Sequence, residues 1–190
     1  MNTVHIAASE DYRRARAELL AAEEELRAAA ARVTALRATL PPGPEVDASS
    51  PLTTAGGKPI TLDDVFGDHR TLVGFHLPFD ADHDEPEEAG ARAVDALDVQ
   101  VPWLRDRTAL AVFAPAPPHR LAQLADHRGW RWIVPISTQP GELSDRLGIR
   151  GDDGLDAAVT VFVREGAVTR VHWHGPAELT APLLDLLPGD

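Results

Sequence analysis

The pattern of apolar and polar positions predicts a long leading helix followed by alternating strands and helices. From Ser9 to Leu40 the sequence is rich in Ala, Glu, Arg and Leu, and its large apolar residues recur at mixed spacings of three, four and seven. Ser9 is the expected N-cap. The run Pro41-Pro42-Gly43-Pro44 predicts the end of the helix, because proline cannot donate the helical backbone hydrogen bond.

Shorter apolar segments predict an α/β domain after this helix. Pro59–Phe66 is predicted as a short strand or turn leading into a helical turn. The predicted strands are Thr71–His76, Ala109–Phe113, Trp130–Ile136, Val159–Val163 and Val168–Trp173, and the predicted helices are about Ala89–Leu104, His119–Arg128, Glu142–Leu147 and Ala177–Leu187. Alternating strands and helices that end in a hairpin and a helix predict a thioredoxin-like three-layer α/β/α sandwich.

We therefore divide the chain into an N-terminal helical extension at residues 1–43, a linker at 44–58 and a thioredoxin-like domain at 59–190. The formal net charge of −12 excludes non-specific binding to nucleic acids or anionic membranes, which repel an acidic surface. No apolar run approaches the roughly 20 residues of a membrane span. A cytoplasmic location is the expectation.

The chain contains no cysteine. Disulfides, thiolate nucleophiles, zinc-thiolate sites and iron-sulfur ligation are therefore excluded together. Any function must work without sulfur chemistry, and thiol-disulfide oxidoreductase activity is excluded.

Several motifs, in this order and spacing, identify a family. They are the leading helix with its stop Leu36–Gly43, and then Phe75-His76, Val94-Asp95-Ala96-Leu97-Asp98, Arg128-Gly129-Trp130, Val161-Phe162-Val163-Arg164-Glu165-Gly166 and Leu184-Asp185-Leu186-Leu187-Pro188-Gly189. With them the sequence resembles a bacterial thioredoxin-like family of unknown function whose members are predicted dithiol-disulfide oxidoreductases. The resemblance runs across nearly the whole chain and implies a thioredoxin fold.

The sequence departs from this family at the redox motif. Alignment without gaps from Phe75-His76 to Val94-Asp95 places the family's CxxC cysteines at Glu87 and Gly90. The stretch Asp156–Val159, where the resemblance implies a cis-proline, contains no proline. The resemblance therefore assigns no catalytic residue to this chain.

Other candidate sites compete with purely structural interpretations. The segment Asp80–Glu88 is predicted to be an acidic loop. His76, His83 and Asp84, with the other carboxylates of this loop, are the best candidates for a metal site, although solvated acidic surface is the simpler interpretation. His172 and His174 alternate about Trp173, which predicts that they share one face of a strand. They could bind a metal there, or they could form the polar outer face of a hairpin. His76, Trp130 and Trp132 are candidates for lining a ligand cleft, with Trp103 as a further aromatic, although aromatic residues at strand spacing are more often core.

The sequence thus predicts a cysteine-free thioredoxin-fold protein that is non-catalytic and acts through a protein partner or a second copy of itself. The leading helix is too irregular in its spacing for a strict heptad, so we expect it to pack on a globular surface, its own or that of another subunit in a homodimer. The alternative is a redox cleft repurposed around His76, His83 and the acidic loop for a metal or small molecule. No cofactor is expected.

Overall fold

The computed structural model describes residues 9–140, 142–151 and 154–177. Its first element is the helix α1, Glu10–Ala38. The Oγ of Ser9 accepts a hydrogen bond of 3.2 Å from the backbone N–H of Tyr12, so Ser9 is the N-cap as predicted. The helix ends just before the proline-rich stretch that begins at Pro41, which confirms the predicted stop.

The domain is built on a mixed sheet whose eight strands run in the order β1-β10-β9-β4-β5-β6-β2-β3 among the described residues. The strands, with the separate pair β7 and β8, are β1 Glu45–Val46, β2 Pro51–Thr54, β3 Pro59–Thr61, β4 Thr71–His76, β5 Ala109–Ala114, β6 Pro135–Ser137, β7 Arg150–Gly151, β8 Gly154–Leu155, β9 Ala158–Glu165 and β10 Val168–Pro176. The central strands β4, β5 and β6 are parallel, and β9 and β10 form the antiparallel hairpin.

Helices cover both faces of this sheet. They are α2 Leu62–Phe66, α3 Glu88–Asp98, α4 Val101–Leu104, α5 Pro118–Arg128 and α6 Glu142–Arg146. Val94 of α3, Leu104 of α4 and Leu121 of α5 pack in one core cluster with Phe75 of β4. The helices α2 and α6 pack on the other face. The three-layer α/β/α class and the long N-terminal helix are thus confirmed.

The structure differs from the sequence prediction at several places. The predicted strand Trp130–Ile136 is wrong for most of its length, because β6 begins only at Pro135. The predicted helix at 89–104 is two helices, α3 and α4. The expected linker 44–58 contains β1 and β2, and Leu52 of β2 is a core residue. The predicted helix Ala177–Leu187 lies, apart from Ala177, outside the described residues.

The described helices include none that is long and apolar enough to cross a membrane. The boundary between extension and domain stays a prediction.

Candidate functional site

The candidate redox site lies where β4 ends and α3 begins. The backbone N–H of Leu77, directly after β4, donates a hydrogen bond of 2.9 Å to the carbonyl of Phe113 at the end of the parallel strand β5. Ligand sites of parallel sheets lie beyond the carboxyl ends of the strands. In the structure the acidic loop comprises residues 77–87, between β4 and α3. It therefore occupies the position at which ligand binding or catalysis is expected.

Glu87 and Gly90 flank the start of α3 but differ in exposure. Glu87 is the exposed N-cap of the helix, and its side chain makes no capping hydrogen bond. Gly90 is buried in the first turn, where an added Cβ would lie 3.1 Å from Cδ1 of Leu77 and 3.2 Å from Cδ of Pro78. Position 87 faces solvent and position 90 faces packed side chains, so the two positions are not equivalent.

The acidic loop is organised from inside by Asp80. This buried carboxylate accepts hydrogen bonds from the backbone N–H of Asp82 at 3.0 Å and from Nδ1 of His83 at 2.7 Å. Arg120 of α5 donates to the carbonyls of Ala81 and His83. The loop is therefore held by its own hydrogen bonds and by a cation from α5.

Three clefts border this loop, and one of about 550 Å³ is lined by Asp80, Ala81 and Ser144. The other two concern the candidate site. A cleft of about 510 Å³ has an acidic lining, which consists of Pro78, Asp80, Asp82, His83, Glu85, Pro86, Glu87, Gly154 and Leu155. A second cleft, of about 390 Å³, lies against α5, where Arg120 and Arg128 are already paired with acidic groups. In the part of the chain that the structure describes, no group of three His, Asp or Glu side chains could hold a metal ion.

His76 lies in the core, at the end of β4. Its side chain is 2% exposed and stacks on Phe113 with ring centroids 5.6 Å apart. The Nε2 of His76 lies 2.8 Å from Oγ1 of Thr160, which in turn lies 2.8 Å from Nδ1 of His174. Burial, with a smaller contribution from His174, lowers the pKa of His76 to about 3. A neutral imidazole in this position is a core group that shares the Thr160 hydroxyl with His174.

A β-bulge separates the two candidate histidines of β10. Val171 pairs with Phe162, whereas Trp173 already pairs with Val161, so His172 is the extra residue. Trp173 packs against the core cluster of α3, α4 and α5, as the structural interpretation predicted. Because of the bulge, the expected common face of His172 and His174 is wrong.

The tryptophans of the candidate aromatic cleft differ in exposure. Trp132 is 53% exposed and Trp103 84% exposed, whereas Trp130 is half-buried against the core. The backbone N–H groups of Arg131, Trp132 and Ile133 donate to the carboxylate of Asp98. Neither these tryptophans nor His76 line any of the three clefts described above.

These contacts explain two of the sequence motifs. Asp95 accepts hydrogen bonds from Nε1 of Trp130 at 2.7 Å and from Arg128 at 3.1 Å, and Arg128 also pairs with Glu88. The motif at residues 94–98 therefore binds the motif at 128–130. Sequence reasoning quoted both motifs but missed their contact.

The second candidate site is the surface of α1. None of its 29 residues is buried against the part of the chain that the structure describes. The large apolar residues that it and the following turn leave exposed are Tyr12, Leu19, Leu20, Leu26, Val33, Leu36 and Leu40. At its C-terminal end, the guanidinium of Arg37 lies 5.2 Å from the centroid of the Trp173 ring. The helix thus contacts the domain at its C-terminal end, and it exposes apolar side chains along its length.

A family model matches residues 1–172 of the sequence. The matched family is described as bacterial protein of unknown function, DUF899. The chain belongs to this family. No curated protein matches the sequence.

Peroxiredoxin structures share the fold of this DUF899 protein. A cysteine-to-serine mutant of Xylella fastidiosa PrxQ superposes with a TM-score of 0.58 at 13% identity, covering 71% of this chain and 84% of that one. Xanthomonas campestris peroxiredoxin Q gives 0.57 at 15% identity, over 73% and 86%. Mycobacterium tuberculosis peroxidoxin BcpB gives 0.55 at 18% identity, over 68% and 83%. At these identities the likeness establishes a thioredoxin fold alone.

Proposed function

We propose that this protein is a non-catalytic, thioredoxin-fold member of its family, located in the cytoplasm, that acts by self-association through α1. The observation that carries the proposal is the exposure of apolar side chains along a helix that the rest of the described chain leaves uncovered. Leu26 is 71% exposed and Leu36 62% exposed. Removing a leucine side chain from water contributes roughly 1.5–3 kcal/mol, so a partner that covers several of them gains substantial binding energy.

The candidate redox site supports the non-catalytic part of the proposal, because it lacks the groups that dithiol chemistry needs. A dithiol function needs a thiolate, and the chain has no cysteine with which to form one. Gly90 is packed under Leu77 and Pro78, which leaves little room there for a second reactive side chain. The thioredoxin frame is retained as a scaffold, and the exposed helix supplies the surface for binding.

The alternative function, a repurposed cleft that binds a metal or a small molecule, has one supporting feature. The cleft beside Glu87 is lined by several carboxylates and by His83, which would attract a cation. However, His76 is buried beside Thr160, and Asp80 already accepts hydrogen bonds from within the loop. The acidic cleft therefore has weaker support than the surface of α1.

Molar mass in solution tests the proposal. We expect the full chain to show a mass above 20.5 kDa that rises with concentration in sedimentation equilibrium. Leu26→Glu should raise the dissociation constant at least tenfold, because it buries a charge in the contact. Ala28→Glu adds the same charge to another exposed face of α1 and should leave the mass unchanged.

Two outcomes would contradict self-association through α1. One is a monomer at every concentration. The other is a dimer that Leu26→Glu leaves intact. Metal content measured on the same sample addresses the alternative: a stoichiometric metal that is lost on His83→Ala would favour the acidic cleft.

A further inference from the structure

The apolar residues of α1 contain a heptad repeat once Leu20 is set aside. Two series of residues recur at intervals of seven, the second three positions after the first: Tyr12, Leu19, Leu26, Val33 and Leu40, and then Ala15, Ala22, Ala29 and Leu36. Those that lie within α1 occupy the a and d positions of a coiled coil, and Leu40 follows the end of the helix. The expectation of an irregular spacing counted Leu20, which lies at a b position outside this seam.

We infer that α1 forms an antiparallel two-stranded coiled coil with α1 of a second copy, in the register that sets Leu26 opposite Ala29 of the partner subunit. The inference rests on the proposed function and specifies its partner and geometry. Over 29 residues at 1.5 Å per residue, the helix is about 43 Å long. That length accommodates several successive layers of a and d side chains.

Side-chain size favours this orientation. In this register Ala22 lies opposite Val33 of the partner subunit, and Leu26 lies opposite Ala29 of the partner subunit. In these central layers large residues therefore meet small ones, which fills the space between two closely spaced helices, and in the outer layer Leu19 meets Leu36 of the partner subunit. A parallel pair in register would instead set leucine against leucine and alanine against alanine in alternate layers, so that the alanine layers would be underfilled.

The charges beside the seam favour the same register. Glu18 faces Arg32 of the partner subunit, and Glu23 faces Arg37 of the partner subunit, each pair occurring twice by symmetry. One like-charge contact remains, between the two copies of Glu25. Opposite charges at the flanking positions select orientation and partner.

Two other arrangements bring like charges together. In a parallel pair Glu18 faces Glu23 of the partner subunit, and Arg32 faces Arg37 of the partner subunit. If the antiparallel helices are shifted by one heptad, so that Ala22 lies opposite Leu26 of the partner subunit, Arg16 faces Arg37 of the partner subunit. Like-charge pairs at these positions are unfavourable.

The anchored end of α1 is compatible with this pairing. The Cζ of Arg37 lies over the Trp173 ring, 5.2 Å from its centroid. A guanidinium carries five N–H donors, so a cation–π contact leaves N–H groups able to donate to a carboxylate of the partner subunit. Arg37 can therefore contact its own domain and Glu23 of the partner subunit at once.

The absence of native cysteine allows a direct cross-linking test on the full chain. We expect Ala22→Cys and Val33→Cys proteins to form no disulfide-linked dimer separately, because like positions lie about 16 Å apart along an antiparallel pair, beyond the roughly 7 Å limit for bridged Cα atoms. A mixture of the two, allowed to exchange subunits and then oxidised, should give the covalent dimer. The double variant Ala22→Cys/Val33→Cys should form the covalent dimer without mixing.

Matched controls separate orientation and register. Ala21→Cys lies beside Ala22 but faces away from the seam, so its mixture with Val33→Cys should not cross-link. Circular dichroism and melting of each variant confirm that it is folded. Cross-linking of Val33→Cys by itself would indicate a parallel pair and overturn the inference. Cross-linking of Ala22→Cys with Leu26→Cys, in place of Val33→Cys, would overturn the register.

The proposed function and this inference can fail separately. A dimer that Leu26→Glu dissociates, but that shows no cross-linking on mixing Ala22→Cys and Val33→Cys, would retain self-association and overturn the coiled-coil register. A protein that is monomeric at every concentration would overturn both.

Discussion

The hydroxyl of Thr160 lies 2.8 Å from Nε2 of His76 and 2.8 Å from Nδ1 of His174, and so links a core imidazole to one at the outer strand of the hairpin. A single hydroxyl hydrogen can serve only one of these nitrogens. The other nitrogen must therefore donate its own hydrogen to the Thr160 oxygen. The network is satisfied with both imidazoles neutral, and protonation of His76 would place an uncompensated charge in the core.

This arrangement predicts an acid-sensitive fold. His76 has a folded-state pKa of about 3, below its ordinary value of 6.5, so between these values the unfolded chain binds more protons than the folded one. Stability is therefore greatest above pH 6.5 and falls as the pH falls toward 3. One such group contributes a slope of up to about 1.4 kcal/mol per pH unit.

Urea unfolding between pH 7 and pH 4.5 measures this slope, and His76→Gln is the matched variant, because its amide retains a hydrogen-bonding group that does not titrate. We expect a shallower slope in the variant. Equal slopes in the two proteins would show that His76 is not responsible for the acid sensitivity.

Asp98 is expected to be the most sensitive polar residue of α3. Burial would raise the pKa of Asp98, but hydrogen bonds from the N–H groups of Ile133, Trp132 and Arg131 lower it. Asp98→Ala leaves these donors without their acceptor and should cost roughly 1–3 kcal/mol of unfolding free energy. Denaturant unfolding measures the cost.

Asp95→Ala provides the comparison on the same helix. Its side chain is 39% exposed and its partners can turn to water, so we expect a smaller loss of stability. A larger loss for Asp95→Ala than for Asp98→Ala would contradict the view that the backbone contacts of Asp98 hold the segment before β6.

The two positions assigned to the redox motif, Glu87 and Gly90, should differ in reactivity if cysteines are introduced. In the double variant Glu87→Cys/Gly90→Cys, we expect the thiol at 87 to react rapidly with a disulfide reagent, because it lies exposed at a helix N-terminus. The thiol at 90 should react only on unfolding, because it lies beneath Leu77 and Pro78.

Counting the reactive thiols before and after denaturant tests this expectation, with Glu87→Cys alone as the control. Two rapidly reacting thiols in the folded protein, or disulfide reductase activity of the double variant, would show that an intact redox frame survives.

Charge exchange across the proposed coiled coil gives a further prediction. Glu18→Arg and Arg32→Glu should each raise the homodimer dissociation constant roughly tenfold, since each replaces two attractive pairs by two repulsive ones. Mixing the two variants should restore wild-type affinity, because every pair is again opposite in charge. Sedimentation equilibrium at low salt measures the effect, and high salt should reduce it. If mixing does not restore the wild-type dissociation constant, the pairing of Glu18 with Arg32 of the partner subunit is contradicted.

Local sequence patterns sufficed where local physics decides the structure. Ser9 and Pro41 bound α1 because a cap and a missing backbone donor act within one helical turn. The continuous apolar run of β4 predicted a strand buried on both faces, and all of its residues are buried.

Long-range contacts explain the failures. Trp130, Trp132 and Val134 recur at a spacing of two as in a strand, yet the backbone N–H groups of residues 131–133 bind Asp98, more than 30 residues away. The bulge at His172 likewise depends on pairing with β9. The assignment of Glu87 and Gly90 to the redox motif stays a prediction, and the sequence could not show that one of them is exposed and the other buried.

The packing at Gly90 also bears on how the protein could change over evolutionary time. A single base change can convert a glycine codon to a cysteine codon, but Leu77 and Pro78 would have to shift to make room for the added side chain. Converting the glutamate codon at position 87 to cysteine requires every base of the codon to change. No single base change therefore gives a dithiol at positions 87 and 90, and neither cysteine alone could carry out dithiol chemistry. The present sequence and packing together keep this protein far from such a site.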